Sequence, residues 1–105
     1  AAFEAHTFSR VRVLFEEFVQ SFALADIAII ADIYNDRESP DSEVSGKRLA
    51  QAINKNVTKA IYLPSYQAIE DYLFEHAKSG DIVMVLGSKY LETICKPLLK
   101  RLEKR

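Results

Sequence analysis

Apolar positions along the chain alternate between two rhythms, one suited to helices and one to strands covered on both faces. From Arg10 to Leu24, the residues Val11, Leu14, Phe15, Phe18, Val19 and Phe22 recur at helical spacing, and Ser9 stands where an N-cap belongs. Ala1–Glu4 reads as the tail of a strand. Asp26 opens a nearly unbroken apolar run from Ile27 to Tyr34, the pattern of a strand inside a parallel sheet. Asn35 to Glu43 is polar, contains Pro40 and reads as a loop. Ser45 is placed to cap a helix carrying Leu49, Ala50 and Ile53 and ending near Asn54–Asn56. Thr58–Leu63 is the next strand, and Pro64-Ser65 opens a helix with Ile69, Tyr72 and Leu73 on one face, ending at Ser79-Gly80. Asp81–Leu86 reads as a final buried strand. After Gly87-Ser88 comes a last helix with Leu91, Ile94, Cys95, Leu98, Leu99 and Leu102. Pro97 falls inside it, so a kink or break is expected near Lys96.

Strands alternating with helices through short connections predict an α/β fold with three layers, a mostly parallel sheet flanked by helices. In such a sheet the functional loops gather at the carboxyl ends of the strands. Those ends are Glu4–Arg10, Asp32–Glu38, Leu63–Ser65 and Leu86–Lys89.

Composition narrows the picture. A chain of 105 residues fits one domain, and 49% apolar residues, with six Phe and five Tyr, suffice for a core without staples. A single cysteine excludes an internal disulfide framework and suits a reducing compartment; Cys95, at helical spacing among apolar residues, is expected to be a buried hydrophobe. Fourteen basic against 15 acidic residues leave a net charge of −1, with no broad electrostatic reason to bind nucleic acid or an anionic membrane. The basic tail (Lys96, Lys100, Arg101, Lys104, Arg105) complements the dipole of the last helix. No apolar run nears the roughly 20 residues that cross a bilayer and no leader begins the chain, so a cytoplasmic location is expected.

Two strand ends carry candidate chemistry. In Glu4-Ala-His-Thr-Phe-Ser-Arg10, a helix start attracts anions, Arg10 offers a planar fork of donors for a carboxylate or phosphate, and His6 offers a donor. Spacing leaves that reading level with a plain one, in which Thr7 and Ser9 cap the helix and Arg10 lies on the surface. In Asp32-Ile-Tyr34-Asn-Asp-Arg37-Glu38, carboxylates beside an Arg either orient a substrate or form a solvated loop, and composition favours the loop. Gly87-Ser88 is a weak match to a phosphate-cradling turn, and no P-loop is present. Asp26 and Asp81 precede their strands and read as structural. His76 reads as a surface or packing residue, and His6, His76 and Cys95 lack zinc-site spacing.

The run Ala2-Phe-Glu-Ala-His-Thr-Phe-Ser-Arg10, followed by Leu14-Phe15-Glu-Glu-Phe18, resembles the third domain of the UDP-N-acetylmuramate–L-alanine ligases of the Mur ligase family. Further matches follow in order: Ala25-Asp26, Asp32-Ile-Tyr34, Arg37-Glu38, Val44-Ser45-Gly46, Gly80-Asp81 and Gly87. The resemblance covers nearly the whole chain. It implies a Rossmann-like domain spanning residues 1–105, lacking that domain's first strand and helix, in a cytoplasmic ligase of peptidoglycan synthesis. ATP and Mg2+ would drive the joining of L-alanine to the carboxylate of UDP-N-acetylmuramate, both held mainly by domains absent from this chain. The fragment alone is expected to be inactive. Matched residue by residue, His6 and Arg10 fall at positions that hold the amino acid's carboxylate; Thr7, Ser9, Asp32, Tyr34, Arg37 and Glu38 are candidates for support, and Gly87 and Ser88 for a nucleotide contact. Glu4-Ala5 departs from the family's Gln-Pro, and Gly87-Ser-Lys-Tyr90 from its Gly-Ala-Gly-Asp. The alternatives are a sister ligase taking another amino acid or a peptide, and a non-catalytic Rossmann-like binding module. The missing first strand implies an exposed sheet edge open to self-association.

Overall fold

The structure is a computed structural model and describes residues 1–34, 44–88 and 90–104. Among these residues, four strands form one parallel sheet in the order β3-β2-β1-β4, where β1 is Ala2–Glu4, β2 Ile27–Ile30, β3 Lys59–Tyr62 and β4 Val85–Gly87. Helices α1 (Phe8–Val13), α2 (Phe15–Gln20) and α3 (Gly46–Asn56) follow β1 and β2 in sequence. Helix α4 (Tyr66–His76) follows β3, and a 3-10 turn at Leu91–Ile94 leads into α5 (Cys95–Glu103).

Alternation of side chains along the strands splits the core in two. Phe3, Ala28 and Ile30 point with Val11, Val19, Phe22, Leu49 and Ile53 into the layer beneath α1–α3. Ala2, Ile29 and Ala31 point with Ile69, Leu73, Leu91, Ile94 and Leu98 into the layer beneath α4 and α5. Fully burying each large side chain, such as Ile30, Leu49 or Leu91, stabilises the fold by about 1.5–3 kcal/mol. The predicted α/β three-layer arrangement is therefore present. Running 1-2-3 in one direction and then returning to β4 on the far side, the chain reverses between β1 and β4. A single hand of crossover sends the helix after β3 to the opposite face.

Local capping follows the sequence where a hydroxyl meets a helix start. Ser45 accepts from Arg48 N–H at 3.0 Å and Ser65 from Ala68 N–H at 3.1 Å. At the end of α3, Asn54 Oδ1 accepts from Ala60 N–H at 2.9 Å and ties the helix to β3. Arg101 on α5 donates to Glu70 Oε2 at 2.7 Å and Asp71 Oδ1 at 2.8 Å on α4, and lies over the Phe74 ring. That double pairing holds the Arg101 guanidinium above, and the Asp71 carboxyl below, their ordinary pKa values.

Five expectations need correction. The long helix from Arg10 begins earlier, at Phe8, and breaks at Leu14 (φ −108°, ψ 19°) into two helices of six residues each. The break lets Phe18 and Phe22 turn onto Phe3, with ring centroids 5.4 Å away in both pairs. The last strand is shorter, Val85–Gly87, and not buried: it is the edge of the sheet, lacking a neighbour on one side among the described residues, and Ile82 and Met84, expected within it, precede it and are 89% and 55% exposed. Cys95 is exposed, not buried, since the inward stripe of the last segment is Leu91, Ile94 and Leu98. Finally, α4 ends at His76 rather than Ser79-Gly80. The residues beyond it turn back, Lys78 N–H reaching Asp81 Oδ2 at 2.9 Å and Asp81 N–H reaching Lys78 O at 2.9 Å. This gives Asp81 the structural role expected of it. The chain after Gly87 does fall into two pieces, but the boundary is at Ile94, and Pro97 sits in the first turn of α5, where its missing N–H has no helical partner to lose. The predicted loop Asn35–Glu43 lies outside the described residues.

Candidate functional site

Parallel strands that reverse their order leave a crevice at their carboxyl ends, at the point of reversal. Here that point lies between β1 and β4, and a cleft of about 610 Å³ opens there. Its lining includes Glu4, His6, Arg10, Tyr34, Gly87, Ser88 and Tyr90. The sheet's topology thus brings together His6, Arg10, Tyr34, Gly87 and Ser88 from three separate stretches of sequence.

The turn from β1 to α1 is built on an unusual backbone. Thr7 has φ 68° and ψ 137°, a conformation that a β-branched residue rarely adopts. It is held there because Thr7 N–H donates to Tyr34 O at 2.8 Å and Tyr34 N–H to Ala5 O at 2.8 Å, a short parallel bridge between His6 and Tyr34. Strain of this kind persists where surrounding contacts over-determine it, often at functional sites. Thr7 occupies the N-cap position but makes no side-chain cap, and Ser9 lies inside α1 instead of capping it. With six residues, α1 has little dipole to offer, so any attraction for an anion rests on the Arg10 guanidinium rather than on the helix end.

Arg10 and His6 are exposed at the mouth of the cleft. The Arg10 side chain makes no hydrogen bond or ion pair with another described residue. The His6 ring lies 5.4 Å from that of Tyr34, and Tyr34 stacks on Tyr90 at 4.6 Å with an interplanar angle of 27°. The three rings form an aromatic rim. Asp32, at the end of β2, accepts a hydrogen bond from the Tyr62 hydroxyl, which pushes the Tyr62 pKa up to about 12. Arg37, Glu38 and Lys89 lie outside the described residues.

The Gly87-Ser88 turn is shaped by the protein's own backbone. Gly87 has φ 102°, and a Cβ there would stand 2.0 Å from Glu4 O. Ser88 N–H donates to that same oxygen at 3.0 Å, while Ser88 Oγ accepts from Tyr90 N–H at 3.2 Å.

Sequence reasoning passed over Glu4, treating it only as a departure from a pattern. It is 3% exposed at the floor of the cleft, and its Oε2 accepts from the Tyr66 hydroxyl at 2.5 Å. Desolvation first, and then this bond to Glu4, raise the pKa of Tyr66. A carboxylate at the end of β1, with a tyrosine at the start of α4, was the available signal.

No protein-family model matches the chain. Curated relatives do. The chain is 40% identical over 102 residues to the UDP-N-acetylmuramate–L-alanine ligase of Pelotomaculum thermopropionicum, covering 96% of this chain and 22% of that protein. To the enzymes of the same name from Acaryochloris marina and Desulforamulus reducens it is 38% identical, over 94% and 98% of this chain respectively. It spans about a fifth of the length of these relatives, 20% and 22% in those two.

Proposed function

The chain belongs with the UDP-N-acetylmuramate–L-alanine ligases as the counterpart of a carboxy-terminal stretch of them, and from that premise we propose that it supplies the amino-acid-binding part of such a ligase. In this reading the whole enzyme joins L-alanine to UDP-N-acetylmuramate in the cytoplasm during peptidoglycan synthesis. The observation that carries the role of this part is the convergence of Arg10 and His6 on the cleft at the reversal point of the sheet. Arg10 presents paired donors to the amino acid's carboxylate, His6 adds a further donor, and the strained Thr7 linkage to Tyr34 fixes both relative to β2. Asp32 and Tyr34 support the site from the second strand end, with Thr7 and Ser9 beside it.

Holding the carboxylate aims the amine at its reaction partner and contributes to rate through orientation. Closure of this domain over the rest of the enzyme would exclude water. ATP and Mg2+ belong to the proposed whole ligase. Within this chain, Ser88 N–H is already engaged by Glu4 O. A nucleotide contact at Gly87 and Ser88 would therefore use the Ser88 hydroxyl. In domain terms, the chain is read as part of the ligase's third domain. None of the described helices is long and apolar enough to cross a membrane.

In the whole ligase, Arg10→Ala is expected to raise the KM for L-alanine by about 10- to 100-fold, matching roughly 1.5–3 kcal/mol for a charged hydrogen-bonded contact. The KM for UDP-N-acetylmuramate should stay unchanged. Steady-state kinetics in each substrate checks this, and an unchanged requirement for L-alanine removes the carboxylate role.

Self-association through the sheet edge is part of the same proposal, because β4 is an edge strand among the described residues and the segment leading into it exposes Ile82 and Met84. Sedimentation of the chain over a concentration series is expected to show a rising mass that Ile82→Lys returns to the monomer value. A constant mass in the unaltered chain discards the idea.

A further inference from the structure

A second cavity, of about 440 Å³, lies in the layer of α1–α3 and is lined by Arg12, Phe15, Val44, Arg48, Gln51 and Ala52. It shares no lining residue with the cleft between β1 and β4. Two guanidinium groups reach it from different helices, Arg12 from α1 and Arg48 from α3, and no carboxylate lines it among the described residues. A concave lining with charge of one sign focuses the potential and gathers ions of the other sign.

The sequence of α3 strengthens that sign. Its first turn holds Lys47 and Arg48 and no acidic residue, the reverse of what a helix dipole favours. The Arg48 side chain is exposed and makes no hydrogen bond or ion pair with another described residue. Fold stability therefore gives no reason for a cation at this position. The rest of the lining is of a different kind. Phe15 and Ala52, packed against the core, and buried Val44 form an apolar wall, and Gln51 adds an amide that donates and accepts. A few polar groups set on an apolar wall are the usual make-up of a small-molecule site.

We propose that this cavity binds an organic phosphate, with Arg12 and Arg48 donating to the phosphate oxygens and Phe15 and Ala52 lying against the carbon portion. A carboxylate is planar, and one guanidinium fork satisfies it. A phosphate offers three oxygens in different directions, enough for forks arriving from two helices. Inorganic phosphate would leave the apolar wall unused. The site goes beyond the amino-acid reading and does not depend on it: α1 presents Arg10 to the cleft and Arg12 to this cavity.

A 15N NMR titration of the chain at fixed ionic strength tests this with three probes: phenyl phosphate, inorganic phosphate and benzoate. Phenyl phosphate is expected to shift the amides of Arg12, Phe15, Arg48, Gln51 and Ala52 and to bind more tightly than either of the others. Arg12→Gln and Arg48→Gln should each weaken its binding by about tenfold, as loss of a charge-assisted bond implies. Both positions are exposed, so the variants should keep the dispersed spectrum of the unaltered chain. If phenyl phosphate shifts no amide of the cavity, or binds both variants as well as the unaltered chain, the site is overturned. Shifts confined to His6, Gly87 and Ser88 would place the probe in the cleft and overturn it equally. If benzoate or inorganic phosphate binds the cavity as tightly as phenyl phosphate, the ligand is not an organic phosphate and the proposal fails.

Discussion

Gly87→Ala is expected to destabilise the chain by about 3 kcal/mol or more and to force β4 away from β1 at the cleft. Two independent costs fall on the same residue. The backbone at φ 102° is one that L side chains rarely adopt, and the added Cβ would meet Glu4 O at 2.0 Å, Glu4 C at 2.9 Å and Glu4 N at 3.2 Å. The obstacle is backbone, and Glu4 cannot easily retreat because β1 is flanked by β2 and β4. Relief would come from moving β4 outward, which breaks the Ser88 N–H bond to Glu4 O. Gly80 supplies the control: its φ is 96°, yet a Cβ there meets nothing within 4 Å. Gly80→Ala should therefore lose only the conformational part, about 1 kcal/mol or slightly more. Urea denaturation of the two variants measures the difference. Equal midpoints would mean that β4 moves freely and that the cleft wall is not rigid.

This contrast also shows where the sequence was readable and where it was not. Hydroxyl caps and apolar spacing act within a few residues, so α3 behind Ser45 and α4 behind Ser65 could be placed from the chain alone. Asn54–Asn56 marked the end of α3 for the same reason. The break at Leu14 was invisible because helical spacing continues straight through it; only the need to bring Phe18 and Phe22 onto Phe3 explains it. The exposure of Ile82 and Met84 depends on strand order, which an apolar run does not encode. Cys95 failed similarly, since one apolar residue beside a stripe is not evidence of lying in it.

For the site, the strand-end rule places His6, Arg10, Asp32, Tyr34, Gly87 and Ser88 at the carboxyl edge of the sheet from sequence alone. It could not say that β1 and β4 are neighbours, and hence that Gly87 faces Glu4. Nor could it detect that Glu4 is buried beneath a tyrosine 62 residues away in sequence. Local rules find residues at an edge; only the tertiary fold pairs them.

The same reasoning applies to the other strand end, where Gly46→Ala is expected to cost about 2 kcal/mol or more. Gly46 is the first residue of α3, and its Cβ would stand 2.2 Å from Ala31 O, 3.0 Å from Ala31 C and 3.2 Å from Asp32 Cα. A better helix former in this place gains at most about 1 kcal/mol, which does not offset a collision with backbone. Ala31 is pinned, its N–H bonded to Phe3 O at 3.0 Å. On the helix side, Leu49 and Ile53 are wholly buried and resist displacement of α3. The strain must then pass into the segment after Ala31, which carries Asp32 and leads to Tyr34 in its bridge with His6. Loss of stability should accordingly come with shifts in the amide resonances of Asp32, Tyr34 and Thr7, measured beside the urea midpoint. Should Gly46→Ala instead leave the chain as stable as before, α3 must slide outward without cost. In that case the end of β2 would not be a fixed support for Arg10 and Glu4, because its position would depend on a helix that can yield.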